Sequence, residues 1–222
     1  MMWLAWLVLP ALALDGRDGT VLPGASPMLA GRGYVGLVGG ALTPPYSSGT
    51  TTGAGLELGV GLSDRVGLFA LVGTTRLQGF QQLERRVGGH VTLRGNVVQS
   101  DHVRLGLLLT ASMVATEPID ATLGAGFAVQ AGGGRTFVDL SVPSAIAARA
   151  TERDGEYGLE AATTPLWMDV GLTVRVARYD RIRIGYPALV TWQIRREHFY
   201  VDLAATTAFY LYGASAAVGV RL

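Results

Sequence analysis

From Gly33 to its last residue the chain alternates between aliphatic side chains and glycine or small polar ones, with a period of two residues. That period marks a β-strand whose two faces meet different surroundings, because successive Cβ atoms point to opposite sides of a sheet. In GLELGVGL (55–62), Leu56, Leu58, Val60 and Leu62 share one face, and Gly55, Glu57, Gly59 and Gly61 share the other. After Ser63-Asp64-Arg65 the pattern resumes, with Val66, Leu68, Ala70 and Val72 opposite Gly67, Phe69, Leu71 and Gly73. Val103, Leu105, Leu107, Leu109 and Ala111 oppose Arg104, Gly106, Leu108 and Thr110. The chain closes with Tyr212, Ala214, Ala216, Val218, Val220 and Leu222 against Gly213, Ser215, Gly219 and Arg221.

Glycine decides which face is outside. On a solvent face it weakens a strand and leaves it bare. It suits the inner wall of a narrow barrel, where large side chains would collide. The expected fold is therefore all-β: a closed antiparallel transmembrane β-barrel with its aliphatic face turned to lipid. A soluble exported lipocalin-like barrel is the alternative. Only 16% of residues are charged and the mean hydropathy is +0.33, against roughly 25% charged in an ordinary soluble domain. Yet nowhere does an apolar run reach the roughly 18 residues of a membrane-spanning helix.

The opening MMWLAWLVLPALA ends in Ala11-Leu12-Ala13, a small-x-small cleavage signature. The expected organisation is a signal peptide over 1–13, a Pro/Gly-rich lead-in over 14–32 and the barrel over 33–222. Ten strands are expected, at about 33–43, 53–62, 66–76, 84–98, 103–115, 120–131, 135–150, 165–177, 181–195 and 208–222. Segments 135–177 and 181–222 form a weak repeat, each with a proline (Pro143, Pro187), a charged stretch and the string AATT. Even-numbered residues stay on the aliphatic face from Val138 to Ala148 and from Ile182 to Ile194. A two-residue hairpin at either proline would invert that parity, so each segment is taken as two strands with a long outer loop. Splitting them further gives fourteen strands, and eight or twelve also fit the class. Tight turns fall at Ser63-Asp64-Arg65, Ser100-Asp101-His102, Gly132-Gly133-Gly134 and Tyr179-Asp180-Arg181, and longer polar connections at Thr43–Thr52 and Leu77–Glu84. Short periplasmic turns and longer outer loops are what bacterial barrels show.

The chain carries little sign of chemistry. There are no cysteines and hence no thiolate metal sites. His90, His102 and His198 are too far apart for a metal-ligand pattern, and neither Ser112 nor Ser141 has a histidine at triad spacing. No catalytic residue, cofactor site or metal site is expected. All basic residues are arginine, and a net charge of +1 without a basic cluster leaves no footprint for nucleic acid. The informative residues are the charges on the glycine face: Glu57, Arg86, Arg94, Arg104, Asp139, Asp169, Arg175, Arg183 and Arg221. They would form either a paired polar core that plugs the lumen, since buried charges need partners, or a cationic constriction favouring small anions.

The pattern over 33–222 resembles the small outer-membrane β-barrel proteins of Gram-negative bacteria, the eight-to-twelve-stranded surface barrels and their porin-like relatives. The last strand resembles the C-terminal assembly signal of that class, although it ends in Leu222 where an aromatic is usual. The resemblance implies signal-peptide export to the cell outer membrane, insertion by the outer-membrane assembly machinery and contact with outer-membrane lipid. The expected role is structural or surface-interacting, with loops 43–52, 151–164 and 196–207 available to an extracellular partner. The alternative is a narrow channel for small solutes.

Overall fold

The computed structural model describes residues 30–43, 50–80, 82–115, 120–133, 135–153, 156–161, 168–178, 180–186, 188–208 and 211–222. The signal segment and nearly all of the lead-in lie outside them. Thirteen strands are present among the described residues. They are β1 (Gly33–Thr43), β2 (Thr50–Gly61), β3 (Val66–Phe80), β4 (Gln82–Gln99), β5 (Val103–Ala115), β6 (Asp120–Gly133) and β7 (Thr136–Arg153). They continue as β8 (Glu156–Ala161), β9 (Asp169–Arg175), β10 (Asp180–Tyr186), β11 (Ala188–Arg195), β12 (Phe199–Ala208) and β13 (Leu211–Arg221). None of the described residues forms a helix long and apolar enough to cross a membrane.

Every pairing is antiparallel, and the sheet closes on itself. β1 pairs with β13 along its length, and a β6–β7 pairing joins the two ends of the strand order. Among the described residues β8 pairs only with β7, at Ala148–Arg153, while β9 pairs with β7 at Thr136–Ser141. β8 and β9 therefore occupy one position of the ring, which leaves twelve positions around a closed barrel. Closure gives each strand of the ring a partner on both sides, while β8, outside the ring, is paired along one edge only among the described residues.

Twelve corrects the expected ten, and both extra strands come from the last third. Ile184 pairs with Val190, so the chain reverses between β10 and β11 where one strand was expected. Both partners are even-numbered. A turn with an odd number of loop residues preserves parity, so unbroken parity excluded only the two-residue hairpin. The second addition is β12, which takes most of the expected outer loop 196–207. Glu197 consequently lies in the β11–β12 turn, at the same end of the barrel as Ser63 and Ser100. At Pro143 the single-strand expectation holds, because β7 runs unbroken past it. Between the pairs Ala125–Ile146 and Phe127–Val142, β7 has three residues where β6 has one. An insertion of two keeps the alternation in phase.

Nor is Leu77–Glu84 a loop, since β3 continues to Phe80 and β4 begins at Gln82. With 15, 18 and 18 residues, β3, β4 and β7 are longer than the roughly 9–11 residues that a tilted membrane crossing needs.

The outside of the barrel is the aliphatic face. Leu37, Leu56, Val72, Leu107, Leu109, Leu123, Leu172, Ile184, Trp192 and Val218 are exposed. The buried set is rich in polar and charged side chains: Glu57, Arg94, Asp139, Asp169, Arg183 and Asp202 all point inward, beside apolar and aromatic ones such as Phe69, Leu108 and Tyr200. A soluble barrel has the reverse arrangement.

Glycine makes this interior fit. Tyr200 on β12, Gly219 on β13, Gly36 on β1 and Glu57 on β2 form one cross-strand row. The Tyr200 side chain lies over both glycines and its hydroxyl donates to Glu57 Oε1, spanning the seam between the first and last strands. A Cβ at Gly219 would sit 2.5 Å from the buried Tyr200 ring. Gly219→Ala should therefore destabilise the barrel by about 1–3 kcal/mol through overpacking. Gly95→Ala, where a Cβ would meet nothing within 4 Å, should be silent. Urea midpoints of the two variants in lipid vesicles check this pair, and equal midpoints would refute the fit.

Candidate functional site

The charges gather on the inner wall toward the end that carries the short turns β2–β3, β4–β5, β6–β7, β9–β10 and β11–β12. Arg183 enters from β10 and Asp139 and Asp169 from β7 and β9. The guanidinium Nη2 donates to Asp139 Oδ2 at 2.6 Å and to Asp169 Oδ1 at 2.8 Å, and Nε donates to Asp139 Oδ2 at 3.2 Å. The side chains of Arg183 and Asp169 are 0% exposed and that of Asp139 is 3% exposed. The guanidinium crosses β9 over Gly171, where a Cβ would lie 2.5 Å from Arg183 Nε. A second clasp joins neighbouring strands: Arg195 on β11 donates through Nη1 to Asp202 Oδ1 on β12, and through Nη2 to Oδ2 at 3.0 Å. Paired, hydrogen-bonded charges are the form in which ions persist away from water.

The aromatic side chains add to this layer. Tyr34 meets Tyr200 edge to face, with centroids 5.7 Å apart. The Arg195 guanidinium lies 5.6 Å from the Tyr200 ring centroid, and that of Arg94 lies 4.8 Å from the Phe69 centroid. These are cation–π distances. Thr92, Thr173, Thr191, Gln193 and Ser215 are buried beside them.

Of the expected inward charges, Glu57, Arg94, Asp139, Asp169 and Arg183 meet in this layer. Arg104 is half-buried toward the mouth, with Nη1 donating to Gln130 Oε1 at 2.8 Å. Arg86 is half-buried, farther along β4. Arg175 and Arg221 are exposed at the short-turn rim, where Arg221 Nη1 donates to the Arg196 carbonyl at 3.1 Å. Arg195 lies at the end of the expected strand 181–195 but outside its expected set of inward charges, whereas Asp202 and Tyr200 escaped the sequence reading because β12 was taken as a loop. Their signal was present: Phe199-Tyr200-Val201-Asp202-Leu203 alternates like every other strand. Among the described residues no group of His, Cys, Asp or Glu is arranged to hold a metal ion.

No family model matches the chain, and no curated protein matches it. Solved structures do. The translocator domain of the autotransporter NalP from Neisseria meningitidis aligns with 99% of this chain and 95% of its own, at a TM-score of 0.49 and 11% identity. The P. putida toluene transporter TodX aligns over 86% of this chain and 88% of its own, with a TM-score of 0.37 and 10% identity. CdiB from Acinetobacter baumannii aligns over 86% of this chain and 60% of its own, with a TM-score of 0.31 and 6% identity.

Proposed function

We propose that this chain is an integral outer-membrane β-barrel of a Gram-negative bacterium, with a lumen closed by its own side chains and a structural or surface-interaction role. The membrane reading rests on the inverted barrel: exposed Leu, Val and Ile around the outside, buried charges within, and a ring of strands that closes on itself. The short-turn end then faces the periplasm and the β3–β4 and β7–β8 hairpins face outward. Export by a signal peptide belongs to the same reading, as do insertion by the assembly machinery and an extracellular partner at the hairpin end. No catalytic role is proposed.

The observation that carries closure is the burial of the inner wall. Each ring position contributes at least one inward side chain closed to water, among them Tyr34, Glu57, Phe69, Arg94, Leu108, Gln130 and Asp139. Asp169, Arg183, Gln193, Asp202 and Ala217 complete the circuit. A water-filled pore would leave such wall residues wet. Purified protein in a planar bilayer should therefore give no steady single-channel conductance. Regular, long-lived conductance steps would overturn closure and establish the narrow channel instead, while leaving the membrane barrel standing.

A further inference from the structure

We propose that the β10–β11 side of the barrel thins the membrane beside it, so that outer-leaflet headgroups descend to the β10–β11 hairpin and meet the upper lumen there. The inference rests on the membrane reading proposed above and adds a specific lipid contact to it.

The wall is low on this side. β10 has seven residues and β11 has eight. β1 to β7, β12 and β13 each have ten or more. β9 is as short as β10, but residues 162–167, which precede it, lie outside the described ones. Only Pro187 separates β10 from β11, so the chain reverses at once and carries the wall no higher. At the short-turn end both strands are level with their neighbours, because Arg181 pairs with Arg175 and Arg195 with Tyr200. The deficit therefore falls at the hairpin end, which the membrane reading places outside. A tilted strand needs roughly 9–11 residues to cross. At the usual rise and tilt, β10 lacks roughly 5–9 Å of height, over a width of two strands or roughly 10 Å.

Elsewhere the apolar belt stands higher. Met113 on β5 and Leu123 on β6 are each ten residues from the short-turn end of their strands, and both are exposed on the outer face. Lipid chains do not fill the gap beside the hairpin, since backbone groups without partners are not tolerated in hydrocarbon. β12 exposes such an edge. Its Thr206 is paired with Ala188, but Thr207 and Ala208 have partners on β13 alone among the described residues. Leaving that edge in hydrocarbon costs far more than thinning the bilayer by a few Å. Tilting the whole barrel moves this side but adds no residues to it. The lumen behind the gap is polar as well. Thr110, Ser112 and Thr122 face inward in its hairpin-side half and are half-buried, as are Arg86, His90 and Arg149. Such a lining suits water and headgroups rather than acyl chains.

The test uses the absence of cysteine from the sequence. Ile184→Cys and Leu107→Cys, each carrying a nitroxide spin label, are compared in the full barrel in dioleoylphosphatidylcholine vesicles. Both positions are exposed on the outer face, and each lies four residues from the short-turn end of its strand. In a bilayer of uniform thickness they sit at the same depth. With thinning, the Ile184 label should collide with a water-soluble nickel complex, relative to oxygen, several-fold more than the Leu107 label. In didecanoylphosphatidylcholine, whose bilayer is already thin, the two ratios should agree. Four residues inserted on each side of Pro187 extend β10 and β11 to eleven and twelve residues, the lengths of β1 and β2. That extension should return the Ile184 label to the Leu107 ratio. Equal ratios in the unextended barrel, or a difference that survives the thin bilayer or the extension, would overturn the proposal. A Leu107 label dominated by nickel would sink the membrane reading itself, and the proposal with it.

Discussion

Arg183→Met should lower the stability of the folded barrel by about 3–5 kcal/mol, the usual result of removing one partner from a buried ion cluster. The reason is local. Asp139 and Asp169 share one guanidinium through bonds of 2.6 and 2.8 Å and are closed to water. Without it, two buried carboxylates on the neighbouring strands β7 and β9 lose the guanidinium they share. One must then take up a proton or draw water into the layer. Removing all three charges is a different perturbation, since apolar replacements of similar volume leave no uncompensated charge. The triple variant Asp139→Leu/Asp169→Leu/Arg183→Met should therefore recover most of the loss. Urea unfolding in lipid vesicles, followed by tryptophan fluorescence and by unboiled gel mobility, measures both. A loss below about 1 kcal/mol for Arg183→Met would place the cluster in the range of solvent-exposed pairs and remove the basis for a closed lumen.

Leu107→Arg should cost about 2–4 kcal/mol, the expected effect of an arginine on the lipid face near the bilayer midplane. Leu107 lies within β5, is 54% exposed and points away from the lumen. Its alternation partner Leu108 is 1% exposed and faces inward. Leu107→Ala should cost much less, because only a partly lipid-covered side chain is lost. Thr110→Ser, on the inner face, keeps its hydroxyl and should be nearly silent. Refolding yield into vesicles and the urea midpoint separate the three. Equal losses for Leu107→Arg and Leu107→Ala would mean that this face does not meet lipid, and the soluble barrel would become the better account.

The sequence by itself determined the strands and their two faces over β1 to β7. Inward and outward sides are set by local backbone geometry with a period of two, so Leu56 against Glu57 and Val72 against Gly73 are legible without any tertiary information. That glycine marks the inside was also legible, since no other placement makes use of bare backbone. Strand count was not. Parity is preserved by any odd-numbered turn, so the β10–β11 reversal leaves no trace in the alternation, and only the Ile184–Val190 pairing reveals it. Which charges meet was likewise beyond the sequence. Arg183 and Asp139 are 44 residues apart, and Tyr200 and Glu57 are 143 apart. Each pair is brought together by the register of the intervening strands and by the glycines on them, Gly171 for the first and Gly219 and Gly36 for the second. Register and closure are cooperative properties of the whole ring, so the partners of a single residue are decided only when the first strand pairs with the last.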